Sequence, residues 1–204
     1  MQSLLALSRA IDAFNSRVGK WVSWLVLIAV LISAANATVR KVFDTSSNAW
    51  LELQWILFSV VFLVCSPWTL LSNEHIRIDI VNGLFPQRVR DIIDVVGHAF
   101  FLIPLCIIMI ITSYPFFVRS FLLDEQSFNA GGLPQWPAKS LVLIGFTLLL
   151  LQGISELIKR IAVMRGLIPD PYHTAGGVHA AAEAEAARLL AELKDEAELK
   201  AHTK

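Results

Sequence analysis

The sequence predicts an all-α integral membrane protein with four transmembrane helices, and three observations carry that expectation. Apolar residues make up 55% of the 204-residue chain and charged residues only 17%, against about 25% charge in a soluble domain. Mean hydropathy is +0.60. The charges are spaced to leave four long uncharged runs, near the ~20 residues a helix needs to cross a ~30 Å hydrocarbon core. None alternates polar with apolar residues as a barrel strand would. Basic and acidic residues cancel at 17 each, so there is no positive excess to engage a nucleic acid. Cys65 and Cys106 lie inside apolar runs, which points to neither a disulfide framework nor a thiolate metal site.

The first span is expected at about 21–39, where the uncharged run Trp21–Val39 separates Lys20 from Arg40. Ala35-Asn36-Ala37 has the small-residue pattern of a signal-peptide cleavage site. The run is long for a signal sequence, however, and Trp21 and Trp24 suit an interfacial anchor, so a retained span is expected. The second span, about 51–72, follows Glu52 with the uncharged run Leu53–Asn73. The segment at about 74–91 is too polar to span. Its Ile76, Ile80, Val81, Leu84 and Phe85 fall on one helical stripe, which predicts amphipathic interfacial helices interrupted at Pro86; a polar loop with a few buried isoleucines is the alternative.

The third span, about 94–117, contains the uncharged run Val95–Val118. In the loop Arg119–Lys139, Gly131-Gly132 permits positive φ, and Pro134 and Pro137 flank Trp136. Such a segment is either a shaped docking surface or a plain turn capped by an interfacial tryptophan. The fourth run, Ser140–Ser155, is the shortest. It reaches span length, about 139–158, only by continuing past Glu156. Pro169, Pro171 and Gly176-Gly177 then separate a membrane domain, 1–172, from a helical cytoplasmic tail, 173–204.

Orientation follows from Lys and Arg. Arg9, Arg17, Lys20, Arg77, Arg88, Arg90, Lys159, Arg160 and Arg165 share one face, and Arg40, Lys41, Arg119 and Lys139 the other. The richer face is expected to be cytoplasmic, with both termini on it. Trp21, Trp24, Trp50, Trp55 and Trp136 mark the span ends.

Ionisable groups inside a bilayer are costly and draw attention to function. Here they are few: Glu52 at the start of span two, His98 early in span three, and Glu156 at the end of span four. The two glutamates suit pairing with a partner helix or a Lys/Arg. His98 alone is a poor basis for haem, and more readily bonds a neighbouring helix. Ser33, Asn36 and Thr38, Gln54, Ser59 and Ser66, and Gln152 and Ser155 are expected to join helices by hydrogen bonds. Pro67 and Pro104 are expected to kink their spans. Without a catalytic motif, the chain is expected not to be an enzyme.

Four segments resemble the small membrane (Q, DctQ-type) subunit of tripartite ATP-independent periplasmic (TRAP) transporters. They are Ala49-Trp50-Leu51-Glu52-Leu53-Gln54-Trp55, Asn73-Glu74-His75-Ile76-Arg77-Ile78-Asp79, the loop Ser127–Pro137, and Ile154-Ser155-Glu156-Leu157-Ile158-Lys159-Arg160. The resemblance covers about residues 10–170. It implies a small permease subunit in the bacterial inner membrane, bound to a large elevator-type membrane subunit and served by a periplasmic solute-binding protein. Sodium and substrate, a C4-dicarboxylate or related organic acid, would bind the large subunit, leaving this chain without catalytic, substrate or metal residues and without a cofactor. Glu52, Trp55, His75, Arg77, Asp79, Trp136, Pro137 and Glu156 are the implied structural and interface residues. Among partners, membrane lipid is expected and nucleic acid is not. The rival class is a haem or quinone membrane anchor of an electron-transfer complex, which needs intramembrane histidine ligands.

Overall fold

The computed structural model describes residues 2–45, 47–72 and 87–168. Within them the chain is helical apart from short connections. Two helices precede the first hairpin: α1, Gln2–Ser23, and α2, Leu25–Phe43. Then come α3, Asn48–Leu71, and α4, Gln87–Val96, which runs through a π-helical turn, Gly97–Leu102, into α5, Ile103–Leu122. The last is α6, Trp136–Met164. Four helical stretches, Gln2–Phe43, Asn48–Leu71, Arg88–Leu122 and Trp136–Met164, are long and apolar enough to cross a membrane. Short connections at 44–47 and 123–135 make neighbours antiparallel, so one end of the bundle carries Glu52 and the other Glu156. The segment 74–86, with His75, Arg77 and Asp79, and the tail 173–204 lie outside the described residues.

The first span differs from the sequence expectation in one respect. Residues before Trp21 carry no predicted element, yet residues 2–20 form most of the 22-residue helix α1. A straight helix from Gln2 to Phe43 would measure about 63 Å at 1.5 Å per residue, twice the hydrocarbon thickness. The chain instead tightens at Trp24, whose N–H donates to the Trp21 carbonyl and whose own carbonyl accepts from Leu27 N–H. The Ser23 hydroxyl donates to the Lys20 carbonyl, a side-chain bond of the kind that bends helices. α1 then packs on both α3 and α6, while α2 leans on α3.

Large apolar residues face outward. Phe62, Phe100, Phe101, Ile111, Leu122 and Leu123 are exposed, whereas the buried apolar positions are Ala29, Val64, Cys106 and Ala162. Ser8, Asn15, Glu52, Asp91, Ser113, Ser120, Gln152, Ser155, Glu156 and Arg160 are buried. This inside-out distribution suits lipid: acyl chains are as apolar as leucine, so helices associate by close backbone approach and by polar pairing. Gly145 brings α6 against α3, where an added Cβ would sit 2.8 Å from Leu63 Cβ and 3.0 Å from its carbonyl. At Gly19 of α1 it would meet the Trp68 ring at 2.8 Å.

Pro67 is accommodated within an unbroken α3, but Pro104 is accompanied by a change of helix type. Proline has no N–H for the Phe100 carbonyl and its ring crowds that carbonyl. The backbone widens just before it, and Ile103 N–H donates to the His98 carbonyl, a π-type bond.

Gly145→Val should lower the stability of the purified protein by about 1–3 kcal/mol through overpacking, read as a drop in thermal midpoint in detergent. Gly97→Ala, where a Cβ meets nothing within 4 Å, should leave the midpoint within error.

Candidate functional site

The polar side chains gather into two clusters, one at each end of the bundle. At the first end, Glu52 sits in the first turns of α3, buried, and receives the 123–135 loop. The Ser127 hydroxyl donates to its Oε1, as does Asn129 Nδ2 at 2.8 Å. The Leu133 backbone N–H donates to Oε2 at 2.6 Å. The partners are a hydroxyl, a carboxamide and a main-chain amide, not a Lys or Arg. The loop is shaped to present them. Asp124 and Gly131 take positive φ, and Gly132 N–H closes a turn on the Asn129 carbonyl. Ser127 N–H donates to Leu133 O and Gln135 N–H to Glu125 O, around an antiparallel bridge between Gln126 and Pro134. This small hairpin supplies regular hydrogen bonding where the sequence suggested only a shaped loop or a plain turn. Gly132 is needed for space: a Cβ there would lie 2.7 Å from both Glu52 oxygens.

The loop is also fastened at its exit. Lys139 of α6 pairs with Glu125 and lies over the Phe116 ring, 4.1 Å from its centroid. Hydrogen bonding to Lys139 holds the Glu125 carboxyl below its ordinary range. Trp136 opens α6 and packs edge-on to Phe121 of α5, with centroids 5.5 Å apart. Pro137, in the first turn of α6, falls where a missing N–H costs no helix bond. Trp55, 65% exposed on α3, takes no part in this cluster and faces the bundle's surroundings.

At the opposite end, Gln152 of α6 is fully buried and each of its polar atoms is engaged. Its Oε1 accepts from Asn15 Nδ2 at 2.8 Å, and its Nε2 donates to Asp12 Oδ1 and Glu156 Oε1, both at 2.9 Å. Ser155 donates to Asp12 Oδ1 at 2.7 Å and meets the Ser8 hydroxyl at 2.7 Å. Lys159 then bridges two carboxylates, Asp12 Oδ2 at 2.9 Å and Glu156 Oε1 at 2.6 Å. One turn over, Arg160 bonds Asp91 at 3.2 Å and Asp94 at 2.8 Å, which ties α6 to α4. The spacing of Ser8, Asp12, Asn15 and Gly19 places them on one face of α1.

Of the residues singled out in the sequence, Glu52, Trp136 and Pro137 meet at the first end, and Glu156 sits in the second cluster. His75, Arg77 and Asp79 lie outside the described residues. Ser8, Asp12 and Asn15 were not foreseen, although their helical spacing ahead of the first apolar run was visible. Nor was the pairing of Arg160 with Asp91 and Asp94, for which charge at a span end was the only signal. His98 bonds the Asp94 carbonyl of its own helix, 2.6 Å from Nδ1, rather than a neighbouring helix. Among the described residues no three His, Cys, Asp or Glu side chains are grouped to hold a metal ion.

Four apolar helical stretches joined by buried polar clusters at both ends define a multi-pass helical membrane protein. Residues 29–163 match the family model described as "Tripartite ATP-independent periplasmic transporters, DctQ component". The chain belongs to this family and is a TRAP transporter small permease subunit. No match was found among curated proteins or among solved structures.

Glu52→Gln puts an N–H donor where Leu133 N–H needs an acceptor, at a cost of about 1–3 kcal/mol to the loop. Amide hydrogen exchange at Leu133 should accelerate at least about tenfold, while Trp55→Phe leaves it unchanged. At the other end, Asp12→Asn and Lys159→Met should be non-additive, with a coupling of about 1–3 kcal/mol in a double-mutant cycle of thermal stability. Lys159→Met should be the more damaging single change, because it leaves two carboxylates together.

Proposed function

We propose that this subunit is the immobile scaffold of a sodium-coupled TRAP transporter in the bacterial inner membrane, widening the stationary part against which a large elevator subunit moves. The observation that carries this reading is that, among the described residues, the charges within the bundle are engaged, with opposite charges or, at Glu52, with neutral donors. Asp12, Lys159 and Glu156 form one set, Arg160 with Asp91 and Asp94 another, and Glu52 is saturated by loop donors. Groups so engaged brace helices. A transported ion would need ligands that release their partners and exchange with water.

On this reading both termini are cytoplasmic, as the Lys/Arg distribution favours. The Glu52 end then faces the periplasm, and the clamped 123–135 loop stands on the side where a solute-binding protein docks. Arg77 and Asp79 stabilise the cytoplasmic connection, and Trp55 and Trp136 lie at headgroup depth. Sodium and the organic acid, a C4-dicarboxylate or related carboxylate, bind the large subunit, and this chain needs no cofactor.

Affinity purification of the tagged chain from its native membrane in mild detergent tests the proposal. A large multi-span protein should co-purify. Liposomes containing both should take up the acid only with sodium and the binding protein present. Recovery of this chain alone, or uptake by this chain alone, would overturn it.

A further inference from the structure

At the Glu52 end a groove of about 670 Å³ lies between α2 and α3. Its rim carries Arg40, Lys41 and Asp44, and its floor Ser33, Asn36 and Gln54. On α2 these positions recur at 33, 36, 40 and 44, one face followed over three turns. Asn36 lies one turn, about 6 Å, deeper than Arg40, and Gln54 approaches from α3. The Asn36 and Gln54 carboxamides have no hydrogen-bond partner among the described residues, although both belong to helices that cross the membrane. Lipid tails cannot satisfy such groups. Beside the groove, and sharing Asn36 with it, is a second cleft of about 350 Å³ lined by Ala35, Val39, Thr45, Ser47 and Trp50, most of whose surface is apolar.

We propose that this pair of cavities is a binding site for one phospholipid, with a preference for phosphatidylethanolamine. The chemistry matches in three layers. Arg40 and Lys41 offer charge-assisted donors to a phosphodiester. Asp44, at the left-handed end of α2, offers a carboxylate to the headgroup ammonium; its presence among the cations favours a zwitterionic headgroup over an anionic one. One helical turn deeper, at the depth of the glycerol esters, the amides of Asn36 and Gln54 donate to ester carbonyls. The apolar wall of the second cleft, Ala35, Val39 and the Trp50 ring, then flanks the headgroup and glycerol backbone, from which the acyl chains descend along α2. A lipid seated there fills the space between α2 and α3 and makes α2, which otherwise buries only Ala29, part of the bundle.

Native mass spectrometry of the full chain in mild detergent tests the site, after delipidation and titration with phosphatidylethanolamine, phosphatidylglycerol and phosphatidylcholine. One phosphatidylethanolamine should be retained per chain, ahead of the other two lipids. Arg40→Ala with Lys41→Ala should weaken it by at least about tenfold, while Arg40→Lys with Lys41→Arg retains it, which separates loss of charge from loss of fold. Asp44→Asn should reverse the preference toward phosphatidylglycerol. Arg119→Ala, a cation of the same end outside the groove, should change nothing. Equal lipid binding by the double alanine variant, or no preference among headgroups, would overturn the proposal. So would a photo-crosslinker at Ala37 that captures a protein segment instead of lipid in native membranes.

Discussion

A helix in a bilayer gains nothing by turning its leucines inward, because lipid receives them equally well. What it cannot leave outward is an unpaired polar group. The fold depends on that asymmetry, and Gln152 shows it most fully. Buried completely, with both ends of its carboxamide occupied, it makes α6 the element to which α1 must be fitted in one register. Asp12 extends the arrangement, since its two oxygens collect donors from Gln152, Ser155 and Lys159. Each such bond is worth only ~1 kcal/mol within a membrane. Together they exclude other registers, because any slide of α1 strands several polar atoms at once.

The two clusters divide the work of holding the bundle together. The Glu52 cluster fixes a loop to a span, and so fixes the surface at that end. The Gln152 cluster and the Arg160 pairs fix α1 and α4 to α6. Between them the helices meet through small residues and present aromatic and branched side chains to whatever surrounds the bundle. The family match begins at residue 29, so α1 precedes the matched region while its partners Gln152, Ser155 and Lys159 lie inside it. The N-terminal helix is thus registered on the family core by polar contacts.

The legible part of this protein was what hydropathy records. Four apolar spans could be read from where charge is absent and where it returns, and Glu52 and Glu156 drew notice as carboxylates at span ends. Hydropathy is blind to which charges meet. Asp12 and Lys159 stand near opposite ends of the membrane domain in sequence, and nothing local in either segment names the other. α1 was hidden for a related reason: its buried positions, Ser8, Asn15 and Gly19, are polar or small, while its exposed ones mix Leu4, Leu7, Phe14 and Trp21 with Arg9, Arg17 and Lys20, so hydropathy does not mark which face packs. The hairpin over Glu52 was half visible in Gly131-Gly132 and the prolines. Its hydrogen bonds depend on a carboxylate from another span, which the residues of the loop alone could not supply.

The π-helical turn before Pro104 has a consequence for how α4 and α5 relate. A π-bulge accommodates one residue beyond the α-helical count, which rotates everything upstream by about 100° around the helix axis. The long helix therefore carries two phases. Its later part follows the phase set by contact with α6 at the Glu52 end; its earlier part is turned so that Asp91 and Asp94, nearly one turn apart, both face Arg160. A uniform α-helix would have to serve both contacts with one angular setting. By breaking the phase once, the chain can vary the lipid-facing pattern of α5 while keeping the acidic pair of α4 aimed at its arginine.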